Sequence, residues 1–143
     1  MSADRRPRIL LADDERDIVL VTQVRLEVNG YEVLTVADGA EALERFATFN
    51  PDLVLLDLRM PKLDGYQVCR ALKSNPATRS VPVIIFSASS SQALALERKC
   101  LELGADDFVR KPYTSEDLLA KVRRHLAVGV RPTGCPQPTE VSS

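Results

Sequence analysis

The chain has 143 residues, 45% hydrophobic and 27% charged, the proportions of a single globular domain and not of a disordered or fibrous chain. Nineteen Lys and Arg against twenty Asp and Glu leave a net charge of -1, which argues against a surface built mainly to grip nucleic-acid phosphates. Cys69, Cys100 and Cys135 form no closely spaced pair and the lone His125 completes no zinc set, so reduced thiols in a cytoplasmic protein are expected.

In chain order, short apolar runs alternate with segments of helical period. Residues 8–12 read as a first strand buried on both faces. The run Ile9 to Ala12 is too short for a signal-peptide core, and no stretch is long enough to cross a membrane. A first helix over 15–29 carries Leu20, Val21, Val24 and Val28 at helical spacing, which predicts that these four face the core. Asn29-Gly30 ends it, since glycine reaches positive φ without strain. A second strand spans 32–36. Asp38 is placed to cap a second helix running to Phe49, with Ala40, Leu43 and Ala47 on its inner face.

Asn50-Pro51 breaks that helix, and residues 52–57, DLVLLD, are the most strand-like stretch in the chain. A loop and a third helix, 65–74, follow, with Cys69 beside Val68 and Leu72 on a core-facing side. Residues 81–87 make a fourth strand, 89–103 a fourth helix closed by Gly104, and 107–110 a short fifth strand. Thr114-Ser-Glu-Asp117 resembles a capping box and opens a last helix with Leu118, Val122 and Leu126 in register. His125, Arg123-Arg124 and Arg5-Arg6 read as solvated surface charges. The organisation expected is an extension at 1–7, one α/β domain at 8–128 with five parallel strands and five helices, and a tail or linker at 129–143 rich in Pro, Gly, Ser and Thr.

In open parallel sheets, ligands bind at the carboxyl ends of the strands. Here those ends carry Asp13-Asp14, Asp57, Ser87 and Lys111-Pro112. Three carboxylates at one rim repel one another unless a cation offsets them, and an all-oxygen set suits Mg2+. A lysine and a hydroxyl beside them can pair with phosphate oxygens, and a carboxylate can itself be the nucleophile of phosphoryl transfer.

Four segments, LLADDE at 10–15, LVLLDLRMPKLDG at 53–65, IIFSA at 84–88 and FVRKP at 108–112, resemble the receiver domain of two-component response regulators over residues 8–128. The resemblance implies a doubly wound, flavodoxin-like sheet of strand order 2-1-3-4-5. It implies that Asp57 is the phosphoacceptor, supplied by a histidine kinase, a phosphotransfer protein or a small phosphodonor. Asp13, Asp14, Asp57 and the backbone carbonyl of Arg59 would hold Mg2+, with Ser87 and Lys111 binding the phosphoryl group. Ser87 and Phe108 would be the switch pair, Arg59 and Ser89 would modulate phosphoryl lifetime, and the Lys111-Pro112 bond would be cis. Output would pass to an unidentified downstream target or output domain. A homodimer through the fourth helix, fifth strand and fifth helix is one arrangement implied, with no direct nucleic-acid contact.

Taken one at a time these residues have plainer readings. Asp13-Asp14 can cap a helix, Lys111-Pro112 can be a turn, and Phe108 can be core. Two other functions stand beside the leading one. A scaffold that binds partners without phosphorylation would not need the intact acid, hydroxyl and lysine set. An aspartate-nucleophile phosphatase has a second acid two residues after its nucleophile, where this chain has Arg59. The expectation is therefore a phosphorylated signalling domain and not a turnover enzyme.

Overall fold

The computed structural model describes residues 6–60, 64–88 and 90–129, the last three by backbone alone. Arg5, Ser89, Cys135 and the tail from residue 130 lie outside the described residues, so the expectations placed on them have no structural counterpart here.

Five strands alternate with five helices: β1 Arg8–Ala12, α1 Arg16–Val28, β2 Glu32–Val36, α2 Gly39–Phe49, β3 Leu53–Asp57, α3 Gly65–Ser74, β4 Val83–Ser87, α4 Ser91–Leu103, β5 Asp107–Arg110 and α5 Ser115–Gly129. All neighbouring strands are parallel, in the order β2-β1-β3-β4-β5. The central strands are apolar at nearly every position because both faces are covered. One layer packs Leu10, Val54, Leu56 and Ile85 against Phe46 of α2, Val68 and Leu72 of α3 and Cys100 of α4. The other packs Ile9, Leu11, Leu55 and Phe86 against Leu26 of α1 and Leu118, Val122 and Leu126 of α5. Cys69 and Cys100 are free and buried. Among the described residues no helix is long and apolar enough to cross a membrane.

Caps fix most helix starts. Asp38 accepts from the Glu41 N–H at 2.8 Å, and Asp64 and Gln67 form a reciprocal capping box. Thr114 Oγ1 accepts from the Asp117 N–H at 3.0 Å. α4 begins two residues later than the sequence predicts, because Ser90 is its cap and accepts from the Ala93 N–H. β3 and β4 likewise begin at Leu53 and Val83, not at 52 and 81; Pro82, with no N–H to give, contributes only its carbonyl, to Val54 at 2.9 Å.

Two helices are rotated from their expected faces. Leu20, Val21, Val24 and Val28 of α1 are 62, 60, 49 and 78% exposed, whereas Thr22 and Leu26 are buried. The inward face holds a polar residue because the Thr22 hydroxyl lies 2.8 Å from the Tyr113 hydroxyl and is satisfied there. Apolar content alone therefore selects the wrong side. In α2 the buried residues are Gly39, Ala42 and Phe46 and not Ala40 or Ala47, while Leu43 is half-buried. His125 is also not a free surface residue: its Nε2 lies 3.0 Å from Asp107 Oδ2 and its side chain is largely covered.

Candidate functional site

The parallel sheet brings four strand ends to one rim. Asp13 directly follows β1 and is anchored by its N–H, which donates to the Val36 carbonyl at 3.1 Å. Asp57 closes β3 in register with Phe86 of β4, so Ser87 stands one residue beyond it on the neighbouring strand. Ser87 pairs in turn with Arg110 of β5, and the Lys111 N–H donates to the Ser87 carbonyl at 2.7 Å. Asp13, Asp57 and Ser87 are buried, while Asp14 and Arg59 are exposed at the mouth.

The Lys111 ammonium sits among three carboxylates. It donates to Glu15 Oε1 at 2.5 Å, Asp13 Oδ2 at 3.0 Å and Asp57 Oδ2 at 3.4 Å. Burial opposes its charge, but the hydrogen bonds to Glu15 and Asp13 and the nearby acids outweigh this and hold its pKa above the usual lysine range. Asp57 is pushed the other way. Burial first, and then the charge of Asp13, raise its pKa from 3.8 to about 7 against the opposing pull of Lys111 and the Arg59 N–H. That N–H donates to Asp57 Oδ1 at 3.3 Å, and the Glu15 N–H donates to Asp13 Oδ1 at 3.0 Å.

Carboxylate oxygens of Asp13, Asp14 and Asp57 all lie within 4.8 Å of one another. With Glu15, four acids gather at this rim, three of them bonded to the Lys111 ammonium, and the set contains no imidazole or thiolate. Two features fit a hard divalent cation here: the all-oxygen donors, and the proton affinity of Asp57, raised by burial first and then by the charge of Asp13, which a cation among these oxygens would offset.

A cleft of about 340 Å³, lined by Asp14, Glu15, Asp57, Arg59, Ala88 and Lys111 among others, opens over these groups. The Ser87 hydroxyl is turned to its neighbour and donates to the Ala88 carbonyl at 3.1 Å. The Lys111-Pro112 peptide is cis. Phe108 is half-buried against the α2–α4 side of the core, with Arg110 4.9 Å above its ring and Lys121 4.8 Å from it.

Close packing of backbone shapes the rim. Gly65 donates its N–H to the Leu58 carbonyl at 3.0 Å. A Cβ on Gly65 would meet the Asp57 carbonyl oxygen and lie 2.6 Å from Leu58 Cα, so the turn after β3 closes only over a glycine.

The site contains more than the sequence singles out. Glu15 is the nearest partner of Lys111: it precedes α1 as the N-cap yet makes no side-chain cap, and its carboxylate accepts from the lysine instead, a contact with no local sequence signal. Tyr113 stacks on Phe86 with ring centroids 5.1 Å apart and ties the segment after Lys111 to α1 through Thr22. Arg110 forms an ion pair with Glu97 of α4 at 2.8 Å. Neither link has a local sequence signature. Beside the cleft, and sharing Glu15 and Lys111 with it, an apolar groove of about 550 Å³ runs between α1 and α5 past Ile18, Val21 and Leu119.

The response regulator receiver domain model matches residues 9–123. A probable transcriptional regulator ycf27 of Cyanophora paradoxa is 43% identical over 128 residues, covering 90% of this chain and 52% of that protein. The alkaline phosphatase synthesis transcriptional regulatory protein PhoP of Bacillus subtilis (strain 168) is 40% identical over 119 residues, covering 83% and 48%. The chain thus spans about half the length of the curated relatives it matches. A putative response regulator from Chloroflexus aurantiacus J-10-fl superposes with a TM-score of 0.80 at 28% identity, covering 86% of this chain and 99% of that one. The receiver domain of sensor histidine kinase PA1611 from Pseudomonas aeruginosa PAO1, solved with a magnesium ion coordinated in its active site cleft, superposes with a TM-score of 0.77 at 31% identity, covering 86% and 99%. In sequence, strand order and the make-up of its acidic rim, this chain belongs to the response regulator receiver domain family of two-component signalling.

Proposed function

We propose that this receiver works as a phosphorylation-controlled switch in the cytoplasm, with Asp57 as the phosphoacceptor. The observation that carries the reading is the position of Asp57: a buried carboxylate at the end of a central strand, within reach of Lys111, beneath an open cleft. An acid in that place is costly to the fold unless it has work to do.

An ionised Asp57 oxygen attacks the phosphorus of a phosphohistidine or of a small acyl phosphate. The new O–P bond forms as the P–N or P–O bond of the donor breaks, and imidazole or carboxylate leaves. Asp13, Asp14, Asp57 and the carbonyl of Arg59 would hold Mg2+, which supplies charge neutralisation for the transferring group. Lys111 leaves Asp57 Oδ2 to pair with a phosphoryl oxygen, and Ser87 releases the Ala88 carbonyl to donate to another. Arg59, exposed at the mouth, and Ser89 would tune the lifetime of the product. Arg59 also stands where an acid catalyst would be needed for multiple turnover of an external phosphoester, so one phosphoryl group per chain is expected.

Partner contacts follow from surface chemistry. A histidine kinase or phosphotransfer protein would deliver the phosphoryl group, its helix lying in the apolar groove beside Glu15 and Lys111, where Val21 is exposed. The altered state would be read on α4, β5 and α5 by an output domain, a separate target or a second copy. The near-neutral charge gives this domain no call on nucleic acid directly.

Labelling with radioactive acetyl phosphate tests the reading. Wild type should take up one hydroxylamine-sensitive label, Asp57→Ala none, and Lys111→Ala much less. A folded wild-type protein that takes up no label in the presence of Mg2+ would favour the scaffold that acts unphosphorylated.

A further inference from the structure

Arg110 touches three things that a phosphoryl switch has to move. Its guanidinium makes a two-pronged ion pair with Glu97 of α4, Nη1 to Oε1 at 2.8 Å and Nη2 to Oε2 at 3.4 Å. Nη1 also lies 3.5 Å from the Ala88 carbonyl, the same oxygen that accepts the Ser87 hydroxyl at 3.1 Å. The guanidinium carbon stands 4.9 Å from the centre of the Phe108 ring, which Lys121 approaches to 4.8 Å. Glu97 is 8% exposed, and a carboxylate that buried is retained only where it is paired. Lys121 is fixed as well, donating to Asp107 Oδ1 at 3.0 Å and to the Phe108 carbonyl at 2.5 Å.

We propose that the Arg110–Glu97 pair is a positioning device that holds Ser87 and Phe108 in their resting arrangement and so sets how readily the chain adopts its phosphoryl-bound state. The inference rests on the assignment of Asp57 as phosphoacceptor. Ser87 has one hydroxyl proton, now given to Ala88, and it cannot serve a phosphoryl oxygen at the same time. Arg110 keeps the Ala88 carbonyl where that bond is made, and Glu97 keeps Arg110 there by tying it to α4. Phe108, bracketed by two cations, has to give up those contacts to turn toward space vacated beside Ser87. Because Arg110 pairs with Ser87 across the β4–β5 ladder, the guanidinium links the strand end, the carbonyl after it, the α4 helix and the aromatic ring through one side chain. Breaking the pair raises the fraction of molecules competent to hold a phosphoryl group, and apparent affinity for such a group rises in proportion to that fraction.

The test uses beryllofluoride with Mg2+, a stand-in for a phosphoryl group on a carboxylate, titrated into the full chain and followed by amide NMR. Asp57→Asn serves as the control without a site. Glu97→Gln and Arg110→Met should each bind about three- to tenfold more tightly than wild type. Before any ligand is added, their Ser87 and Phe108 amide shifts should already be displaced along the line joining free and bound wild type. Wild-type binding with unchanged or weaker affinity in both folded variants overturns this inference and leaves the reading of Asp57 intact. No binding by wild type at all overturns that reading, and this inference with it.

Discussion

Replacing Asp57 with Asn should make the metal-free protein more stable, and the gain should depend on pH. In the folded chain the Asp57 carboxyl titrates near 7, against 3.8 for an unhindered aspartate, because it is buried and faces Asp13. Between those values the native state holds a proton that the unfolded chain has released, so wild-type stability falls as pH rises from about 4 to about 7. At about 1.4 kcal/mol for each tenfold change in proton affinity, the ceiling on the cost at pH 8 is about 4 kcal/mol. Access of water through the cleft and relaxation of Asp13 reduce this to about 2–3 kcal/mol. Asparagine keeps the shape, loses the charge, and leaves Lys111 with Glu15 and Asp13. Thermal unfolding in a chelator should therefore place Asp57→Asn about 6–12 °C above wild type at pH 8. The difference should shrink steadily to near zero at pH 4. A variant no more stable than wild type at pH 8, or a gap that does not close on acidification, would refute the claim that Asp57 is a strained, charge-repelled carboxylate.

The same carboxylates predict a metal effect of opposite sense. Saturating Mg2+, at about a hundredfold over its dissociation constant, should stabilise wild type by about 2.7 kcal/mol in a thermal melt while Asp57→Asn gains far less; equal gains in both would remove Asp57 from the metal set. Gly65→Ala should cost about 3 kcal/mol in urea unfolding and slow phosphorylation, since its Cβ runs into the backbone of Asp57 and Leu58; a change under about 0.5 kcal/mol would show the turn to be looser than described. Tyr113→Phe keeps the stack on Phe86 but orphans the buried Thr22 hydroxyl, for a loss of about 1–2 kcal/mol by denaturant titration; Tyr113→Phe combined with Thr22→Val should recover most of it, and failure to recover would disprove the pairing. Val21→Asp should impair transfer from a phosphohistidine protein in a timed transfer assay while leaving the rate with acetyl phosphate unchanged; equal slowing with both donors would rule out the α1–α5 groove as the donor's seat.

What the sequence reveals divides along physical lines. The meeting of Asp13, Asp57, Ser87 and Lys111 at one rim follows from short apolar runs whose ends carry the polar residues, a pattern written in consecutive positions. The strand order β2-β1-β3-β4-β5 has no such local signal and is implied only by the family resemblance. Helix faces are less legible. α1 has more apolar residues on its solvent side, at Leu20, Val21, Val24 and Val28, than on its core side, where Thr22 is accepted because Tyr113, distant in sequence, satisfies it. In α2 the inner positions include Gly39 and Ala42, too small to mark a face by hydrophobicity. His125 reads as surface because its partner Asp107 lies on another element. The same holds for Glu15 with Lys111 and for Arg110 with Glu97. Each is a contact between elements whose distance apart in the chain says nothing of their closeness in space.

The most direct test of the account is where the phosphoryl group goes. The full chain is incubated with acetyl phosphate and Mg2+, treated with borohydride, which reduces an aspartyl phosphate to homoserine, and sequenced by peptide mass spectrometry. The account predicts homoserine at position 57 alone, dependent on Mg2+ and strongly reduced when Lys111 is replaced by alanine under the same brief exposure. Homoserine at position 13 or 14, or a protein that gains phosphate with position 57 still aspartate, would contradict it.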